Sequence, residues 1–303
     1  MIKQGLGIWK YSQYYPEIGE HNRLTLGEGD TATVDIEDIL FKREDQNPTG
    51  SVKDRSIAYQ FSYLQDKNIK EAAISSSGNA AYSASVYARK ANIKLHVFLP
   101  ENVNPAKKQL IENERVEIHF SKTPVRNLVT YCKNNKSYNL RGSTDPNALY
   151  GYMSIAFELK EKYGKIDSIF FPVSSGTTLV GVAAGFRILG ERPKIYAVQT
   201  TKVCPVASYF DDKYLPEDKS LADAIVARFT PRKKEVTDII RDSGGSGLVI
   251  NDAGILKADK WLKNHKINVS YEGAATLAGI WKAREKGFNL GKTVCLLTGK
   301  ERK

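Results

Sequence analysis

The stretch Asn47-Pro48-Thr49-Gly50-Ser51-Val52-Lys53-Asp54-Arg55 decides the reading of this chain. Turn formers stop abruptly at a lysine, and an apolar-periodic run over 57–64 follows, so the lysine stands at the mouth of a helix. A side chain there is held firmly and sits in the positive field of the helix N-terminus. Only an unprotonated amine can form a Schiff base with an aldehyde. Taken alone, the stretch also suits a solvated lysine beside a helix cap. Its surroundings separate the two readings.

Two further loops share its character. Ser75-Ser76-Ser77-Gly78-Asn79 lies between a short apolar run, Ala72-Ala73-Ile74, and a helical stretch over 80–91. Small hydroxyl residues and a glycine at a helix N-terminus present backbone N–H groups, which suits a carboxylate or a phosphate; an ordinary N-cap with a tight turn is the alternative. Ser174-Ser175-Gly176-Thr177-Thr178-Leu179-Val180-Gly181 again follows a buried-type strand, Ser168-Ile169-Phe170-Phe171-Pro172-Val173, and opens a helix. It offers the same donors to a phosphate, or is a plain strand-to-helix turn.

Between and beyond these loops, strand-like and helix-like segments alternate. Strands are expected at 94–100, 116–120, 195–199, 248–250 and 293–297, and helices at 105–113, 123–133 and 150–163. Such alternation predicts an α/β architecture with mostly parallel sheets. The irregular stretch 202–218, rich in Pro, Asp and Lys, reads as a surface excursion.

Bulk properties bound the rest. A chain of 303 residues, 41% hydrophobic, can build two modest domains or one large one. No apolar run approaches the roughly 20 residues that span a bilayer. The first residues, Met1-Ile2-Lys3-Gln4-Gly5-Leu6-Gly7, lack a signal-peptide core, and three scattered cysteines, Cys132, Cys204 and Cys295, argue against a disulfide framework. A cytoplasmic protein is expected. His21, His96, His119 and His265 show no metal-ligand spacing and read as surface or packing residues, so no metal is expected. The net charge of +11 is scattered among acids; its densest cluster, residues 228–234, reads as a solvated face, and neither nucleic acid nor membrane is an expected partner.

The lysine segment resembles the cofactor-lysine segment of fold type II pyridoxal-phosphate enzymes, the tryptophan synthase beta-like superfamily, and the resemblance runs in order over nearly the whole chain. It implies two three-layer α/β domains with mostly parallel sheets. The large one would comprise 1–54 and 144–303, the small one 55–143 would be inserted in it, and pyridoxal 5'-phosphate would lie in the cleft between. Lys53 would carry the cofactor as an internal aldimine. Ser76, Ser77, Gly78 and Asn79 would grip the substrate carboxylate, with Asn79 also bonded to the phenolic oxygen of the cofactor. Ser174, Ser175, Gly176, Thr177 and Thr178 would hold the phosphate, although the family has more glycines there. Thr298, in Leu296-Leu297-Thr298-Gly299-Lys300, would face the pyridine nitrogen. A neutral hydroxyl does not keep that nitrogen protonated as an aspartate would, which favours elimination and replacement over transamination.

Within the superfamily, Gly7-Ile8-Trp9-Lys10-Tyr11, Leu26-Gly27-Glu28-Gly29-Asp30-Thr31, Ser243-Gly244-Gly245 and Tyr271-Glu272-Gly273-Ala274-Ala275-Thr276-Leu277-Ala278-Gly279 are similar to threonine synthases. That branch implies a lyase or synthase acting at the β or γ carbon of an amino-acid substrate, with a homodimer as a candidate assembly. One place departs. The branch has an Asn-Pro-x-Arg run that helps hold a substrate phosphate, and this chain has Asp145-Pro146-Asn147-Ala148, with Arg126 and Arg141 as the cations that could compensate. A serine or threonine dehydratase, a cysteine synthase-like β-replacement enzyme, and a pyridoxal-phosphate binder without turnover are the alternatives.

Overall fold

The computed structural model describes residues 7–103, 105–112, 114, 116–227 and 230–302. The N-terminal run 1–6, Asn113 of the expected 105–113 helix, and Arg228 and Phe229 of the basic cluster lie outside the described residues. In chain order the elements are β1 (Thr33–Ile36), β2 (Ile39–Arg43), α1 (Lys53–Asp66), β3 (Glu71–Ser75), α2 (Asn79–Ala91), β4 (Lys94–Pro100), α3 (Pro105–Glu112), β5 (Glu117–Ser121), α4 (Pro124–Asn135), β6 (Tyr138–Asn139) and α5 (Tyr150–Tyr163). There follow β7 (Ser168–Pro172), α6 (Thr177–Ile188), β8 (Lys194–Thr200), α7 (Lys233–Asp242), β9 (Ser246–Ile250), α8 (Asp252–Asn264), α9 (Tyr271–Glu285) and β10 (Thr293–Leu297). The alternation expected from the sequence is present.

Contacts divide the chain into two units. The first takes the residues up to Asp30 with Asn47–Tyr152, and the second takes Thr31–Gln46 with Met153–Arg302. Residues 47–54 and 144–152, and the segment ending at Asp30, fall in the first unit by these contacts. The physical reason is visible along α1. Trp9 stacks on Tyr59 at 5.7 Å between ring centres, Leu24 N donates to Ser62 Oγ at 2.8 Å, and Gly19 N donates to Asp66 Oδ1 at 3.1 Å. Helix α1 is buried on nearly all sides, so what packs around it belongs with it.

The first unit holds a four-stranded sheet, β5-β4-β3-β6, parallel throughout. The second holds a six-stranded sheet, β1-β2-β10-β7-β8-β9, parallel except for the β1–β2 hairpin. That hairpin turns at Glu37 and Asp38, both with positive φ (51° and 61°), as a two-residue turn with matching strand twist requires.

In the second unit, Phe41, Phe170, Tyr196, Val198, Leu248 and Cys295 pack with α8 and α9 in one apolar cluster. The alternate residues, Leu40, Ile169, Phe171, Ile195, Ala197 and Leu296, are buried too. A sheet buried on both faces is covered by helices on both, which gives three layers. Among the described residues no helix is long and apolar enough to cross a membrane.

Candidate active site

In the first unit, Lys53 is the first residue of α1 and is half-buried, with Nζ 5.8 Å from the ring centre of Tyr152. The loop before it is built to present it. Gly50 N donates to Asn47 O at 2.7 Å, and Gly50 takes φ of +83°, so the chain reverses tightly just before the helix. Asp54, 0% exposed, accepts from Thr49 N at 2.6 Å and from Thr49 Oγ1 at 2.5 Å. It also accepts from Ser83 Oγ, on α2, at 2.6 Å. One carboxylate thus fastens the turn to the helix and the first turn of α1 to α2. Helix α5 is brought equally close: a Cβ on Gly151 would lie 1.8 Å from the carbonyl oxygen of Arg55, so only glycine lets α5 set Tyr152 beside Lys53.

The Ser76–Asn79 loop leaves the C-terminal end of β3 and opens α2, as expected. Gly78 precedes the helix with no side-chain cap, and a Cβ there would meet nothing within 4 Å. By contrast, α8 is capped by Asn251, whose side chain accepts from Gly254 N at 2.9 Å. At α2 the Gly78 amide donates to Ser76 Oγ at 3.3 Å, so a small hydroxyl residue and a helix N-terminus stand together, an arrangement suited to an anion.

In the second unit, residues 174–178 link β7 to α6, and Gly176 precedes the helix, again without a side-chain cap. Ser175 Oγ and Thr177 Oγ1 are 2.9 Å apart, and Thr230 Oγ1 donates to Ser174 O at 2.9 Å. The reason for glycine at 176 is its neighbour: at φ +83° its Cβ would lie 2.4 Å from Val236 Cγ2 of α7. Thr298 follows the end of β10. Strand β10 runs parallel to β7, with Thr293 opposite Ser168 and Cys295 opposite Phe170, so Thr298 and Ser174 both lie just past the C-terminal ends of these strands. The C-terminal ends of parallel strands are where open α/β sheets bind ligands.

The comparisons with known proteins agree with this geometry. The family described as pyridoxal-phosphate dependent enzyme matches residues 24–299. The chain belongs to that family. Among curated relatives, the threonine synthase of Methanocaldococcus jannaschii is 25% identical, covering 98% of this chain and 80% of the relative. That of Methanosarcina acetivorans is 28% identical over 96% of this chain and 79% of its own length. Among solved structures, maize serine racemase superposes with a TM-score of 0.79 at 21% identity, covering 90% of this chain and 88% of that one. The processed threonine deaminase isoform 2 of Solanum lycopersicum gives 0.74 at 18% identity, covering 88% and 80%. The residues present include types that suit such a cofactor: a lysine at the first position of α1, and hydroxyl-rich turns at the N-termini of α2 and α6.

Several features went unread in the sequence. Asp54 stands in the deciding stretch itself, yet its partner Ser83 lies 29 residues on. Glu28 is a buried carboxylic acid whose Oε2 accepts from Tyr87 Oη at 2.7 Å and Leu26 N at 2.9 Å, while Oε1 has no hydrogen-bond partner among the described residues. Burial pushes its pKa up, against the lowering effect of those bonds. Gly29 N, next in the chain, donates to Asn47 Oδ1 at 3.0 Å, which ties this acid to the Lys53 loop.

The Asp145–Ala148 run, where the chain departs from the threonine synthase pattern, is closed. Asp145 accepts from Gln60 Nε2 at 2.6 Å, Tyr138 Oη at 2.9 Å and Asn147 N at 2.9 Å, and Ala148 is 0% exposed. Asp145 is thus a buried turn cap. Arg141 is half-buried and its guanidinium pKa is lowered by that burial, whereas Arg126 is exposed on α4. Two histidines read separately as packing residues, His96 and His119, come together with Glu117. The described charges of the basic cluster include two ion pairs, Arg232–Glu235 and Lys234–Asp238; Lys234 is exposed, whereas the Arg232 side chain is only 14% exposed, so the cluster is not a uniformly solvated face.

Proposed function

We propose that this enzyme removes or replaces a leaving group at the β or γ carbon of an amino-acid substrate, in the manner of a threonine synthase relative. The observation that carries the reading is the presentation of Lys53 by the Asp54 latch, next to the mouth of α2, in a chain that aligns with threonine synthases over 96–98% of its length.

Bound pyridoxal phosphate supplies an electron-withdrawing ring conjugated to the substrate nitrogen. The chain's residues do the rest. Lys53 Nζ would be the attachment point for the cofactor and the base that takes and returns the α-proton. The Ser76, Ser77, Gly78 and Asn79 loop would hold the substrate carboxylate, and Asn79 would also bond the phenolic oxygen of the cofactor. Ser174, Ser175, Gly176, Thr177 and Thr178 hold the phosphate at the α6 N-terminus. Thr298 offers the ring nitrogen a neutral hydroxyl, which directs the chemistry towards elimination. The free thiols Cys132, Cys204 and Cys295 support a reducing, cytoplasmic setting, and a homodimer is the proposed assembly.

Dehydration of serine or threonine is the second reading, and one observation favours it. Where the threonine synthase pattern has a phosphate-binding arginine, Ala148 is buried and Asp145 is spent on its own turn. A substrate without a phosphate suits that environment better.

Two measurements test the proposal. Borohydride reduction followed by peptide mapping should place the pyridoxyl group on Lys53, and finding it on another lysine refutes the site. An amino-acid panel including phosphohomoserine, phosphoserine, serine and threonine, with product analysis, should reveal an elimination or replacement product. Pure racemisation or transamination would overturn the reaction class.

A further inference from the structure

At the free edge of the four-stranded sheet, β5 sets Glu117 in register opposite His96 of β4. His119, two residues on, falls on the same face of the strand. The three side chains converge. His96 Nδ1 lies 3.0 Å from His119 Nε2 and 3.2 Å from Glu117 Oε2, and all three donor atoms are within 4.8 Å of one another. Ligands of a tetrahedral zinc ion, with bonds of about 2.0–2.1 Å, sit roughly 3.3 Å apart.

Counting protons sharpens the picture. Tyr131 Oη is 3.0 Å from Glu71 Oε1 and 2.8 Å from His96 Nε2. The phenol has one proton and the carboxylate can only accept, so Tyr131 donates to Glu71 and accepts from His96 Nε2–H. With Nε2 turned to Tyr131, the Nδ1 of His96 is the atom that faces both His119 Nε2 and Glu117 Oε2, a point where all three could hold one positive centre. Lys94 Nζ does not supply it, because it meets the other oxygen of Glu117, Oε1, at 2.9 Å. His119 can direct one N–H at Nδ1 but leaves Glu117 Oε2 unanswered.

We propose that His96, His119 and Glu117 form a binding site for a divalent transition metal, zinc by preference, with water as the fourth ligand. Two imidazoles and a carboxylate are a borderline-soft set that suits zinc and not calcium or magnesium. Tyr131 and Glu71 act as the outer partners that fix the tautomer and orientation of a metal-bound histidine. The ion bolts the edge strand β5 to β4, which is a structural role. None of these residues belongs to the machinery assigned to the cofactor.

The test uses the tag-free holoenzyme and zinc chloride, followed by calorimetry, with cobalt(II) visible absorption to report the coordination number. The wild type should bind one equivalent, show a four-coordinate cobalt spectrum and melt at higher temperature with zinc. Glu117 is exposed and His119 half-exposed, so Glu117→Gln and His119→Gln keep the fold. Each should weaken zinc by about 10–100-fold or more, and Tyr131→Phe should fall in that range by loosening His96. Lack of saturable binding in the wild type overturns the site, as does an unchanged affinity in either ligand variant. Binding abolished by Cys132→Ser would assign the zinc to a thiol and overturn it as well.

Discussion

Replacing Asp54 with alanine should cost more stability than its single position suggests. Its carboxylate serves three donors, Thr49 N, Thr49 Oγ1 and Ser83 Oγ, at 2.5–2.6 Å, and Asp54, Thr49 and Ser83 are at most 3% exposed. The two hydroxyls can rotate towards other acceptors, but the Thr49 amide cannot. A buried donor left unpaired costs about 1–3 kcal/mol, and each bond to a charged group contributes about 1.5–3 kcal/mol. Because one side chain makes all three bonds, they do not add fully, and a loss of about 3–5 kcal/mol is expected. With a urea dependence of about 2–3 kcal/mol/M, the midpoint should fall by roughly 1–2 M. Ser83→Ala removes one bond and leaves the Thr49 turn intact, so about 1–2 kcal/mol is expected there. Amide hydrogen exchange separates the two: Thr49 should lose protection in Asp54→Ala and keep it in Ser83→Ala. Cofactor retention should follow the same order, since the turn presents Lys53. If both variants unfold at the same urea concentration, or the Thr49 amide stays protected without Asp54, the latch argument is wrong.

Glu28 gives a pH signature. Its folded pKa is raised above the ordinary 4.5 by burial, so the folded state binds its proton more tightly than the unfolded state does. Its contribution is fully present below that ordinary value and is lost as pH rises through the raised folded value. The stability of the wild type minus that of Glu28→Gln should therefore fall with rising pH in urea titrations, and a flat difference would contradict the assignment. At Gly176, alanine meets both a positive φ, costing about 1–2 kcal/mol, and Val236 Cγ2 at 2.4 Å. Val236→Ala should relieve the second part, giving a coupling of about 0.5–3 kcal/mol in a double-mutant cycle, and strict additivity would refute the contact. Ala148→Arg should not confer phosphohomoserine turnover. It should instead destabilise the chain by about 3–5 kcal/mol, because an unpaired guanidinium would enter a closed site. A rise in phosphate release would show the position is open to substrate.

The α/β alternation, the helix mouth at Lys53 and the two hydroxyl-rich turns were all legible in the sequence. Each is a pattern confined to about ten neighbouring residues, where local sterics and hydrophobic period govern the backbone. The β1–β2 hairpin was not, because Glu37-Asp38 lacks the Asn-Gly or Asp-Gly signature of its turn although both residues adopt the required positive φ. Helix α1 was foreseen as apolar-periodic, but its nearly complete burial, with the N-terminal segment wrapped on it, emerges only from packing. The sequence by itself determined which residues stand at helix mouths and strand ends. Tertiary structure alone decided that Asp54 bonds Ser83 and that His96 meets His119 across two strands. Those pairs are 29 and 23 residues apart along the chain. They meet because strand order and helix packing bring them together, and no local preference of either residue records the identity of its distant partner.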